Sequence, residues 1–164
     1  MASLRGLCTA QEEFRRVDAD RNGVQDYWRG DVAGLYTLAP GGTPLRYIEL
    51  STALADRRPL SALPQQACTH YGYWYQTLGF ADERRPDPSR FAYLAVPETT
   101  GHEAWMFIVN HEGVPYGKRT ESAKPPDVYP DNPRSEGWLT WEQIRAVRWR
   151  RGHTLWWVQF WRAF

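Results

Sequence analysis

The chain has no long hydrophobic run. Nowhere in its 164 residues do about 18 apolar side chains follow one another, and the N-terminus lacks the charged-then-apolar pattern of a signal peptide, so the chain as it stands reads as soluble. Charge of one sign is also missing: 20 Lys and Arg against 19 Asp and Glu leave a net charge of +1, and no overall field points to nucleic acid. Cysteine is scarce. Cys8 and Cys68 belong to no Cys-x-x-Cys pair, which excludes the usual zinc-ribbon and redox spacings. In an exported protein the two could bridge the N-terminal helix to the segment before the first strand; otherwise they are two free buried thiols.

Catalytic signatures are absent as well. The chain has no Gly-x-Ser-x-Gly elbow and no phosphate-binding glycine loop, and His102-Glu103 is not followed by a second His at the spacing of a zinc protease. His70, His102, His111 and His153 are scattered. The acidic pairs Glu12-Glu13 and Asp82-Glu83 read as solvated faces, because nothing marks one member as desolvated for acid catalysis. The expectation is a protein that is not an enzyme.

What the chain does have is aromatic surface: nine Trp, nine Tyr and six Phe, residue types that supply large contact areas where one edge is dry and the other wet. Twelve Pro and thirteen Gly predict a loop-rich domain. Its sharpest chemical statement is DADRNGVQD at 18–26. A hard divalent cation takes about six or more oxygens, and alternate residues of a tight turn would aim Asp18, Asp20 and Asn22 inward. Gly23 permits the bend, the Val24 carbonyl can face the ion, and Asp26 can bind directly or through water. These are the candidate ligands for Ca2+. The twelfth loop position, where a bidentate Glu is expected, holds Arg29, and Asp31 is the nearest replacement. The alternative is an Asx-turn, in which the same side chains satisfy backbone groups at the end of a helix. With ligands drawn from one short loop, a bound ion would pin a helix end, not catalyse.

The periodicity predicts one domain over 1–164. An amphipathic helix over 3–17 buries Leu4, Leu7, Cys8, Phe14 and Val17, with Arg5, Gln11, Glu12, Arg15 and Arg16 outside the stripe. Loop and short helices fill 18–70, including a helical turn within 27–38 and a second helix over 44–56. An antiparallel sheet occupies 71–119, with strands at 71–78, 90–97, 104–110 and 114–118. His111-Glu112-Gly113 is the hairpin turn, 79–89 is an exposed loop, and Pro115 places the last strand at the sheet edge. Beyond it lie an extended surface segment over 120–137, a short helix over 138–147 started by Thr140 or Ser135, and a Trp- and Arg-rich tail with a strand over 154–161. The fold class is α+β: an N-terminal amphipathic helix packed on a small antiparallel sheet.

The order of these pieces resembles the soluble domain of type IV pilin-like proteins, especially the pseudopilins of bacterial type II secretion and a group of exported bacterial proteins with similar motifs. The resemblance rests on LRGLCTAQEEFRRVDADRNGVQDYW, which looks like the end of a long N-terminal helix followed by an Asp-rich turn and an aromatic. It continues in THYGYWYQTL and FAYLAVPETTGHEAWMFIVNHEGVPY, which resemble the group's strands, and covers about 4–119. It implies a pilin-like fold and a non-enzymatic role in assembly with like subunits or secretion-machinery proteins. It also implies an exported, periplasmic or cell-surface location, anchored in the membrane by an apolar helix that would precede this chain. The calcium site of major pseudopilins lies in a later loop and does not carry over to Asp18–Asp26. An alternative from the residues is an extracellular ligand-binding module in which Trp74, Trp105 and Trp156 stack on carbohydrate or peptide, although Trp105, opening an apolar strand, reads as core. A third reading makes the tail over 148–164 an interfacial membrane contact.

Overall fold

The computed structural model describes residues 2–82, 87–101 and 104–147. Helix α1 (Ala2–Arg16) buries Leu4, Leu7, Ala10, Gln11 and Phe14, recurring at the three- and four-residue spacing of one helix face. Two expectations for this helix are corrected. Val17 lies past its last turn and is exposed, while Gln11 is fully buried because the interior supplies partners for its amide.

The sheet forms as expected and is antiparallel, with β1 (Tyr73–Thr77), β3 (Ala92–Pro97), β4 (Trp105–Asn110), β5 (Tyr116–Arg119) and β7 (Leu139–Thr140) in the order β1-β3-β4-β5-β7. Register sets Tyr93 opposite Val109 and Ala95 opposite Phe107. Side chains alternate across a strand, so Tyr75, Tyr93, Ala95, Trp105, Phe107 and Val109 share one face, in a single cluster with the apolar stripe of α1. Ala92, Leu94, Val96, Met106 and Ile108 point the other way.

That second face is covered too. β2 (Gly79–Phe80) and β6 (Val128–Tyr129) form a short parallel pair, and Leu78, Phe80, Tyr129 and Trp138 close over the sheet. The expected exposed loop at 79–89 therefore begins as a strand, and the expected surface segment at 120–137 carries buried Tyr129 as part of a second core. A 3-10 turn (Thr120–Ser122) leads into it. Pro115 precedes β5, which is not an edge strand, because Tyr116 and Gly117 pair with Thr140 and Leu139 of β7. On the outer side of β1 the Tyr75 N–H donates to the Ala55 carbonyl and the Tyr75 carbonyl accepts from the Arg57 N–H, which blunts that edge.

The 27–38 stretch contributes α2 (Gly34–Thr37), and the predicted helix at 44–56 shrinks to α3 (Leu50–Leu54). Arg46 sits at φ 55, and the N–H groups of Leu45 and Tyr47 bond to the carbonyls of Leu38 and Leu35, so 45–47 runs back along α2 as non-helical chain. The last described helix, α4, covers 141–147. Thr140 and Gln143 build its capping box: the Gln143 N–H donates to Thr140 Oγ1 at 3.4 Å, and Gln143 Oε1 accepts from the Thr140 N–H at 2.8 Å. The predicted strand at 154–161 lies outside the described residues. Among the described residues, no helix is long and apolar enough to cross a membrane.

Candidate functional site

The Asp-rich loop begins as the cap of α1. The Ala19 N–H reaches the Phe14 carbonyl at 3.1 Å, the Asp18 N–H reaches that of Arg15 at 3.3 Å, and Asp18 stands at φ 47. This is a Schellman closure with an aspartate where glycine is usual, and Ala19 packs into the same core as Phe14. A left-handed aspartate costs backbone energy, and here its carboxylate offsets that cost. Its two oxygens accept from the N–H groups of Asn22 at 3.2 Å and Gly23 at 3.0 Å.

The loop then closes around Asn22. Asp20 Oδ1 accepts from the Asn22 N–H, Asn22 Oδ1 accepts from the Val24 N–H at 2.7 Å, and Asn22 Nδ2 donates to Asp20 at 2.9 Å and to Asp26 at 3.3 Å. Asp18, Asp20 and Asp26 are thus each hydrogen-bonded to Asn22, while Val24 is exposed. As placed, they are turned onto N–H groups: among the described residues, no three acidic, His or Cys side chains converge at a metal-holding distance. Partial burial pushes the Asp20 carboxyl above its usual range, and the charges of Asp26 and Asp18 push the same way. Arg29 does not complete the loop, because its guanidinium donates to the Asp87 carbonyl at 2.7 Å.

The loop is fixed to the rest of the fold by its exit. Gln25 Nε2 donates to the Arg16 carbonyl, the Tyr27 N–H donates to the Pro88 carbonyl at 2.9 Å, and the Tyr27 hydroxyl donates to Glu12 at 2.7 Å. The Tyr27 ring stacks edge-on against Phe91 at 4.8 Å. Comparison with known proteins finds no matching family model, no matching curated protein and no matching solved structure. The site stands on its own chemistry.

A second polar constellation escaped sequence reasoning. Asp31, the expected substitute ligand, is only 2 % exposed and bonds groups outside the 18–26 loop. Its Oδ1 accepts from the Gly34 N–H at 2.8 Å and from Trp28 Nε1 at 3.2 Å, and its Oδ2 accepts from the Leu60 N–H at 2.7 Å. Asp56, equally buried, accepts from the N–H groups of Val32, Ala33 and Arg58 at 2.7 to 2.8 Å. Burial pushes the Asp56 carboxyl up, its backbone donors pull it down, and the Asp31 charge adds to the rise. Gln11 ties this layer to α1, accepting from the Trp28 N–H at 2.9 Å and donating to the Tyr93 hydroxyl. With their oxygens engaged by donors, these carboxylates hold loops together and present no open face to a substrate. The signal that could have found Asp31 is an Asp three residues before a Gly at a helix start, whereas Asp56 bonds residues 23 and 24 positions away and has no such local signal.

The remaining candidates are dispersed. Cys8 and Cys68 are both free thiols, so no bridge forms. Cys8 is half-buried, with its pKa pushed up to about 11 by burial and by Glu12, whereas Cys68 is exposed and so does not fit the buried alternative. Trp105 is core, as expected, Trp74 is half-buried, and Trp156 lies outside the described residues, as do His102 and His153. The exposed aromatic that sequence reading passed over is Tyr71. It is 83 % exposed at φ 52, beside Gly72 at φ 76, in a two-residue turn closed by His70 and Tyr73, and its ring lies 4.2 Å from that of His70.

Proposed function

We propose that this chain is a non-enzymatic, exported, pilin-like assembly domain whose 18–26 loop takes Ca2+ as a structural clasp between α1 and the sheet. The observation that carries it is the joining of the two elements. One face of α1 is buried in the same core as the sheet, its opposite face leaves Arg5, Thr9, Glu12 and Arg16 exposed, and the chain leaves it through a loop of carboxylates hydrogen-bonded to Asn22. Asp18, Asp20, Asn22, Asp26 and the Val24 carbonyl supply oxygen donors suited to a hard cation, with water completing the shell. Binding would exchange the Asn22 amide N–H groups for its Oδ1 and relieve the repulsion between Asp20 and Asp26. The engagement of Asp31 and Asp56 by donors supports packing over chemistry. The partners are like subunits or secretion-machinery proteins, and the membrane is reached through an apolar helix ahead of this chain.

Two measurements test the reading. Melting with calcium and with chelator should separate, because an ion that binds the native state raises stability with its free concentration; coincident curves would remove the cation. The coding sequence upstream should contain about 20 consecutive apolar residues. A cytosolic start at Met1 would remove export and anchoring together.

Tyr71 favours a second reading, an extracellular module that stacks its ligand on an exposed ring. A bulky residue held at positive φ is strained backbone, and the ring it presents is almost wholly in solvent. Glycan or peptide binding abolished by Tyr71→Ala, with an unchanged melting curve, would select this reading over assembly.

A further inference from the structure

The Asn22–Gly23 peptide is the chemically vulnerable bond of the loop. Attack of a backbone nitrogen on the preceding Asn Cγ closes a five-membered imide, and the usual obstacle is the side chain that follows the Asn. Here glycine follows, both residues are exposed, and no atom beyond the adjoining residues lies within 4 Å of where a Gly23 Cβ would sit. Three contacts bear on the reacting atoms. The Gly23 N–H donates to Asp18 Oδ2 at 3.0 Å, so a carboxylate stands ready to accept the proton the attacking nitrogen must lose. The Val24 N–H donates to Asn22 Oδ1 at 2.7 Å, polarising the carbonyl under attack and facing the oxygen on which negative charge develops. Asn22 Nδ2, the group that leaves, donates to Asp20 Oδ2 at 2.9 Å and Asp26 Oδ2 at 3.3 Å, carboxylates placed to relay a proton to departing ammonia.

We propose that Asn22 is a site of spontaneous deamidation, and that its conversion to aspartate acts as a timer on the charge of the loop. The Gly23 N to Asn22 Cγ bond forms as the N–H proton passes to Asp18, and the Cγ to Nδ2 bond breaks as the nitrogen takes up a proton and leaves as ammonia. Water then opens the imide at either carbonyl, restoring the N–H of Gly23 and leaving aspartate or isoaspartate at 22. Overall, an amide and water become a carboxylate and ammonium, with no oxidant or cofactor. The product removes the N–H groups that now bridge Asp20 and Asp26 and puts a fourth carboxylate beside Asp18, Asp20 and Asp26. A loop that satisfied itself becomes one that demands a cation; this consequence rests on the calcium reading above, whereas the deamidation does not.

The test is peptide mapping by mass spectrometry of the full chain aged in neutral buffer at physiological temperature. The mass gain of an NH2-to-OH exchange should accumulate at Asn22, ahead of buried Asn110 and of Asn132, whose neighbour Pro133 has no N–H to attack with. Gly23→Ala should slow it several-fold. An Asn22 that keeps its amide in the native chain while losing it in the same chain unfolded in urea would overturn the proposal. For the consequence, Asn22→Asp stands in for the product and should gain more in melting temperature from calcium than the parent. Equal gains would remove the timer, and no gain in either protein would remove the calcium reading while leaving the deamidation intact.

Discussion

At the scale of the residue, the strongest polar determinants are two aspartates whose roles depend on partners far along the chain. Asp31 reaches the Leu60 N–H and Asp56 reaches those of Val32 and Ala33, which explains why local motif reading placed Asp31 near the acidic loop and passed over Asp56. Motif spacing shows which oxygens are near in sequence, and Asp18, Asp20, Asn22 and Asp26 were legible for that reason. A carboxylate spanning 24 residues leaves no local pattern. Removing it is costly, because buried N–H groups without partners lose their hydrogen bonds and regain no water. Asp56→Ala should therefore destabilise the domain by about 3 kcal/mol or more, read as a lower urea midpoint, and Asp56→Asn by less because one acceptor remains. A wild-type midpoint for Asp56→Ala would show that the 31–34 turn holds without its cap.

At the scale of the element, α1 and the strands were legible because their periods are 3.6 and 2, and the errors fell where local signals compete. Pro44 suits a helix start, but Arg46 at φ 55 ends any helix there, and the hydrogen bonds to Leu35 and Leu38 hold the chain against α2 instead. Gln11 was placed outside the stripe on polarity, yet it is fully buried because Trp28 and Tyr93 satisfy its amide. These assignments predict a contrast on one helix. Leu7→Ala should cost about 2 to 5 kcal/mol, since Leu7 is fully buried, while Val17→Ala, past the last turn and exposed, should stay within about 0.5 kcal/mol. Comparable losses at both positions in chemical denaturation would mean that the buried stripe extends through Val17. The capping box makes a separate claim: Thr140→Ala should cost about 1 kcal/mol and lower the helical circular dichroism signal.

At the scale of the whole molecule, the sheet is buried on both faces, and the sequence carried the sign of it in AYLAVP and WMFIVN, runs with no polar alternation until Asn110. What covers the second face was not legible, because Phe80, Tyr129 and Trp138 are single aromatics in turn-rich sequence, brought together by a parallel pairing some fifty residues apart. Burial on this scale also shapes the dependence of stability on pH. Asp56 and Asp20 have carboxyls raised above their ordinary 3.8 by desolvation, so as pH falls the folded state takes up a proton before the unfolded chain does. Their contribution is fully present below 3.8 and is lost as pH rises through the folded values. Asp82 and Asp87 act in the opposite sense. The side-chain hydrogen bonds from Arg90 to Asp82 and from Ser89 to Asp87 hold them below 3.8, so their contribution stands above that value and is lost at lower pH, and solvent screens it at these exposed positions. The two sets change in different windows, on either side of 3.8. Stability should therefore rise as pH is lowered from neutrality toward the ordinary carboxylate range and fall below it. Urea midpoints across that range check the profile. Asp56→Asn should flatten the limb between neutrality and the maximum while leaving the acid limb in place, whereas a midpoint that falls steadily from neutrality in the parent protein would show that the buried carboxylates do not govern the profile.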